Sequence, residues 1–215
     1  MNIDQQEIID TMDTIVDYIR WAASLFNQHK LFFGHGTDNA LDEAAYLVLT
    51  CLQLPNALHS NYFSAKLLRQ EKEKVISFIL DRVNKRLPAA YITNQANFAG
   101  LSFYVDERVL VPRSPIAELI QIQFSPWVDE EQVFNILDLC TGCGCIAIAC
   151  AYAFPLAMID AVDLSEDALE VAKINIKNHH LANSISLIQS DLFKTLDQDK
   201  KASFKGKYDI IVSNP

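Results

Sequence analysis

Residues 138–145 read Asp-Leu-Cys-Thr-Gly-Cys-Gly-Cys, standing between an apolar stretch that ends at Leu139 and another that runs from Cys145 to Phe154. An apolar strand that meets glycines and re-enters an apolar helix opens a βαβ unit, and ligands of open α/β sheets sit outside the carboxyl ends of strands at such turns. The pattern continues downstream: strand 133–139, helix 146–153, strand 158–164, helix 166–179, strand 185–189 and strand 208–213. Strands alternating with helices predict a parallel sheet with crossover helices.

The first 90 residues have a different texture. Ile8, Met12, Ile15, Ile19, Ala22 and Phe26 fall at spacings of four and three, which predicts one helix over 4–28, capped by Asp4 with Glu7 reaching back. A turn at 34–39 leads to a helix over 41–54 stopped by Pro55, and a third helix spans 69–86 before Pro88. Such helices pack as a small bundle, because one amphipathic helix cannot bury its stripe alone. From Tyr91 the reading is a hairpin-like connector, with strands at 98–105 and 109–111 around an Asp106-Glu107-Arg108 turn, then a helix opened by Ser114-Pro115.

Charge and cysteine usage exclude several function classes. The net charge of −9 disfavours a grip on phosphates, and residues 91–215 hold 9 basic against 16 acidic side chains. The longest apolar run has half the residues needed to span a bilayer. Neither a membrane span nor a signal peptide is expected. Four cysteines crowded between Cys140 and Cys150 cannot form a spaced disulfide framework, which points to a reducing cytoplasm.

Two nucleoside cofactors compete for the glycine turn. Gly142-x-Gly144-x-x-Ala147 satisfies a dinucleotide fingerprint with alanine last. Asp138 argues against a pyrophosphate: a carboxylate at the mouth of the loop suits the ammonium and sulfonium of S-adenosylmethionine. Asp163, 21 residues after Gly142, ends the next strand where an acid can accept hydrogen bonds from ribose hydroxyls, or cap the following helix. Asp191, followed by Leu192, stands after the third strand as a partner for the adenine amino group, or as a plain turn residue. Cys140-x-x-Cys143 has the spacing of a redox pair but sits inside a glycine loop, and the simplest role for these cysteines is as small side chains in a tight turn. His179-His180 do not complete a zinc set, and Cys51 and Cys150 fall in apolar runs expected to be core.

The strand over 208–213 ends in Asn214-Pro215, which by itself is a turn. In its position after a fourth strand it resembles the start of the Asn-Pro-Pro-Tyr motif of the HemK-type glutamine methyltransferases. Three further segments, Phe33-Gly34-His35-Gly36-Thr37-Asp38-Asn39, Phe103 through Ile116, and Asp138 through Tyr152, extend the resemblance to the group that modifies large-subunit ribosomal protein L-three. Pro112-Arg113-Ser114-Pro115-Ile116-Ala117-Glu118 departs from the Pro-Arg-Pro-x-Thr-Glu pattern of the alternative, the enzymes that methylate peptide-chain release factors.

The resemblance implies a helical substrate-recognition domain over 1–90, a hairpin linker with a connecting helix over 91–130, and an incomplete Rossmann-like methyltransferase core over 131–215. With about four of the family's seven strands and half of its acceptor motif, the chain reads as a truncated form expected to show weak or no catalysis. The implied reaction is methylation of a glutamine side-chain amide. Asn214 and Pro215 would hold the amide, the Asp138 loop with Thr141, Gly142 and Gly144 the methionine end, Asp163 the ribose, and Asp191 with Leu192 the adenine. Arg113 would help shape the entrance or form a surface ion pair. The remaining alternatives are a nucleic-acid amino-methyltransferase, disfavoured by charge, and a non-catalytic binding module that would not bind the cofactor.

Overall fold

The computed structural model describes residues 4–34, 36–196 and 207–215. The chain divides into two compact units, Met1–Thr93 and Asn94–Pro215.

The first unit is helical: α1 (Gln5–Thr11), α2 (Ile15–Gln28), α3 (Ala40–Cys51), α4 (Arg69–Asn84) and the short α5 (Ala89–Thr93). The single helix expected over 4–28 is two. Asp4 accepts from the amides of Gln6 and Glu7, but the chain turns extended at Met12. Thr14 and Asp17 then start α2 with a full capping box. The break is also held by tertiary contacts: the Asp13 carbonyl accepts from the Leu67 amide at 2.8 Å, the Ile15 amide donates to the Ala65 carbonyl at 3.1 Å, and the Asp13 carboxylate accepts from Lys66 Nζ at 3.0 Å and Lys72 Nζ at 2.8 Å. The expected helix ends also move inward. α3 stops before Gln53 and α4 before Arg86, each of which takes a positive φ. Tyr18, Ala22 and Phe26 of α2 pack against Ala44, Leu47 and Val48 of α3 and Val75 and Ile79 of α4, all fully buried. His35 of the Phe33–Asn39 segment lies outside the described residues.

The second unit opens with a hairpin, β1 (Ala96–Phe98) paired antiparallel with β2 (Leu101–Phe103). Its turn is Ala99-Gly100, both at positive φ, a geometry that matches the twist of two paired strands. The hairpin thus folds at Gly100, where a single strand over 98–105 was expected, and 109–111 is not a strand. Asp106 instead folds that stretch by accepting from the amide and guanidinium of Arg108.

After α6 (Ile116–Gln121) the predicted alternation is realised as β3 (Asn135–Leu139), α7 (Cys145–Ala153), β4 (Met158–Asp163), α8 (Glu166–Asn178), β5 (Ile185–Gln189) and β6 (Ile210–Ser213). The sheet is parallel with order β5-β4-β3-β6. Its centre is near-continuously apolar, with Ile136, Leu137, Ile159, Ala161 and Val162 buried, as strands covered by crossover helices require. β6 joins the far side of β3 in the register Ile136↔Ile210 to Leu139↔Ser213. Asp209 fixes this start by accepting from the amides of Phe134 and Asn135, each at 2.8 Å.

Candidate active site

The chain runs β3, β4, β5 in one direction across the sheet and then returns to the other side of β3 with β6. The carboxyl ends of β3 and β6 therefore flank the point where the order reverses, which is where open α/β sheets form crevices. There residues 140–143 of the glycine loop and Asn214-Pro215 line one cleft of about 420 Å³, a size suited to a small-molecule ligand.

The loop is held from below. Asp138 is fully buried, with Oδ2 accepting from Thr141 Oγ1 at 2.5 Å and from the Ala147 amide at 3.1 Å, while Oδ1 has no partner. Burial pushes its carboxyl up to about 7, against the pull of those two hydrogen bonds. Asp138 thus does not stand at the mouth of the loop, as the sequence reading supposed. The strand carries it into the sheet, where it braces the loop and the first turn of α7.

The two glycines have separate reasons. A Cβ on Gly144 (φ +81) would meet Ala172 of α8 at 3.3 Å, so this glycine lets two helices approach. A Cβ on Gly142 (φ +55) would point into open space, leaving backbone that a ligand can touch. Asp163 reaches across from β4, accepting from the Gly142 amide at 2.8 Å and the Ser165 amide at 3.0 Å. It both braces the turn and lines the cleft, so the capping and ligand-facing readings coexist in one carboxylate.

Thr141, Gly142, Asp163, Asn214 and Pro215 all line the cleft, whereas Asp138, Gly144, Asp191 and Leu192 do not. Asp191 is exposed and paired with Lys194 in the turn after β5, and Leu192 is held at φ 51. Asn214 and Pro215 are both exposed.

The sequence reading missed the opposite wall, which is the whole stretch 108–114. Its apolar run Val109–Val111 looked like a strand, and only Arg113 was singled out. It also missed Asn175 of α8, 1% exposed, whose side chain donates to the carbonyls of Cys143 (2.8 Å) and Tyr104 (2.9 Å) and accepts from the Tyr104 amide (2.7 Å). A buried asparagine inside an apolar helix face was the available signal.

Cys140, Cys143 and Cys145 are free thiols at the cleft, and Cys51 and Cys150 are buried as expected. Burial, aided by the charge of Asp163, pushes the Cys140 thiol up. The Cys145 thiol donates to Cys143, which lowers Cys143 and raises Cys145. Among the described residues no group of three potential ligands is placed to hold a metal ion.

Residues 125–215 match the methyltransferase small domain family. A "Ribosomal protein uL3 glutamine methyltransferase" of Neisseria meningitidis serogroup A is 52% identical over 205 residues, covering 95% of this chain and 65% of that protein. One of the same name from Francisella tularensis is 46% identical over 212 residues, covering 98% of this chain and 65% of that protein. Both of these relatives are named as glutamine methyltransferases. The chain spans about 65% of the length of these uL3 methyltransferases. Among solved structures, the N-terminal domain of human METTL16 in complex with SAH aligns at 19% identity and a TM-score of 0.42, covering 80% of this chain and 64% of that one. The second unit has the Rossmann-like α/β fold of a methyltransferase domain.

Proposed function

We propose that the cleft holds S-adenosylmethionine and that Asn214 presents to it a glutamine side-chain amide of ribosomal protein uL3. The observation that carries this reading is the placement of Asn214-Pro215 beside the glycine loop, in one cleft at the reversal of strand order. The names and identities of the uL3 methyltransferases support the substrate. The residues present fit the cofactor: Gly142 offers bare backbone, and Asp163 keeps lone pairs for ribose hydroxyls after accepting from Gly142 and Ser165. Asp191 and Leu192, at the end of neighbouring β5, would bound the adenine.

When bound, S-adenosylmethionine supplies a methyl group on a positively charged sulfonium. An amide nitrogen is a weak nucleophile because its lone pair is delocalised, so the chain must work by positioning. The side-chain carbonyl of Asn214 and the main-chain carbonyl of Pro215 accept hydrogen bonds from the two N–H groups of the amide. They thereby orient the nitrogen and stabilise positive charge growing on it. The helical unit docks uL3, and the setting is the reducing cytoplasm, where five free thiols persist.

Titration with S-adenosylhomocysteine and with nicotinamide dinucleotides tests the cofactor, and only the former is expected to bind. With the chain in excess over uL3, a single turnover of labelled cofactor reads even slow transfer, and the label is expected on a glutamine by mass. Asn214→Ala should abolish that label and leave S-adenosylhomocysteine affinity nearly unchanged. Equal loss of both would remove Asn214 from its proposed role.

A further inference from the structure

The outer strand of the sheet is β5, which pairs with β4 on one side and, among the described residues, with no strand on the other. An open edge is a template for another strand, and proteins that stay monomeric blunt it with charge or proline. β5 reads Ile-Ser-Leu-Ile-Gln and carries neither. Along this edge α8 and β5 form an open groove of about 600 Å³. Its apolar part is Leu169 and Ile176 of the helix with Ile185 and Leu187 of the strand, and its rim is charged, which is the layering of a protein interface.

The rim decides what fits. Glu166, Glu170, Lys173 and Lys177 all line the groove and are all exposed, and their spacings of four, three and four put them on one face of α8. Read along the helix, the stripe is acid, acid, base, base. A two-fold axis turns it end for end onto its own complement: Glu166 faces Lys177 of the second copy and Glu170 faces its Lys173, both pairs symmetric about the point between Val171 and Ala172. Within one chain Lys173 meets Glu170 at 3.3 Å, but both side chains are more than half exposed and the contact is worth little in water. A wholly basic or wholly acidic peptide gains nothing from a stripe with no net charge, whereas a second copy gains each pair twice. The same rotation sets β5 antiparallel to its copy, the direction in which two edge strands can pair directly.

We infer that the edge formed by α8 and β5 is a two-fold interface on which a second copy of this chain docks, edge strand to edge strand and charge stripe to charge stripe. The interface lies within the second unit and does not depend on the cofactor reading.

Sedimentation equilibrium on the full chain should show a reversible monomer–dimer equilibrium with a Kd of roughly 1–100 µM, the range of a small interface with a charged rim. Glu170→Lys and Lys173→Glu each place like charges opposite one another twice, and each should weaken the dimer by about 10-fold or more. Their equimolar mixture, with one variant fluorescently labelled, should regain wild-type affinity as a heterodimer, because each supplies the charge that the other lacks. The doubly exchanged Glu170→Lys/Lys173→Glu chain should dimerise as wild type does. Both sites are exposed, so thermal melting at dilutions where the chain is monomeric should not change. Amide exchange at β5 should slow as concentration rises through the Kd. A wild-type chain that stays monomeric, a dimer that either single variant leaves intact, or a mixture no tighter than its components would overturn the interface. Unchanged exchange at β5 in the dimer would overturn it as well.

Discussion

Asp138 is a carboxyl that folding removes from water entirely, with one oxygen left without a partner. Its folded pKa of about 7 lies above the ordinary 3.8, so the folded chain keeps a proton that the unfolded chain releases. That contribution to stability is complete below about pH 4 and is lost as pH rises toward and through 7, with an upper limit of about 4 kcal/mol. Asp138→Asn is neutral at every pH, and its carbonyl can still accept from Thr141 and Ala147. Urea unfolding at pH 5 and pH 8 should show a smaller loss of stability on raising the pH in the variant than in wild type. The glycines offer a second contrast. Gly144→Ala forces a methyl onto Ala172 and should cost about 1–3 kcal/mol of stability, with cofactor affinity falling only as folding does. Gly142→Ala adds a methyl to open space and should cost about 1 kcal/mol of backbone strain, yet lose binding of S-adenosylhomocysteine at temperatures where the variant is fully folded.

Elements in the α/β unit were readable because period and punctuation agree there: β5 falls where the alternation predicts it, and β3, β4, α7 and α8 do so within two residues. Reading failed where a distant contact overrode a local pattern. The apolar period runs unbroken through Met12, and α1 is divided from α2 by Lys66 and Lys72 on Asp13, by backbone pairing of Asp13 and Ile15 with Leu67 and Ala65, and by the Thr14–Asp17 capping box. Val109–Val111 has strand composition, but among the described residues no strand pairs with it, and it lines the cleft instead. The side of β3 that Asp138 would take was equally hidden, because an alternating pattern does not say which face a helix will cover. Asn175 shows how one helix positions the site: it links α8 to the glycine loop and to the backbone just after β2. Asn175→Leu would leave the Tyr104 amide and two carbonyls buried without partners. It should destabilise the second unit by about 2–4 kcal/mol, read as a lower urea midpoint.

At the scale of the molecule there are two cores, and each should report its own damage. In the helical unit Glu43 (2% exposed) and Arg82 (4% exposed) meet at 2.6 Å, with Thr37 donating to the same carboxylate and Arg82 donating to the Phe32 carbonyl. Arg82→Met strands that carboxylate and should cost about 3–5 kcal/mol. Calorimetry should show a melting component that Arg82→Met lowers, and another that S-adenosylhomocysteine raises by about 2.7 kcal/mol at a hundredfold excess over its Kd. Movement of a single shared transition by both would mean that the units unfold as one. No helix among the described residues is long and apolar enough to cross a membrane.

Ser213 donates to the carbonyl of Leu139 across 74 positions of chain. A ribosome adding roughly 5–20 residues per second therefore delivers one side of the crevice several seconds before the other. A nascent polypeptide in that interval has the glycine turn but not Asn214-Pro215, which line the same cleft. On the function proposed above, an acceptor amide can be held at this crevice only after β6 has been threaded onto β3.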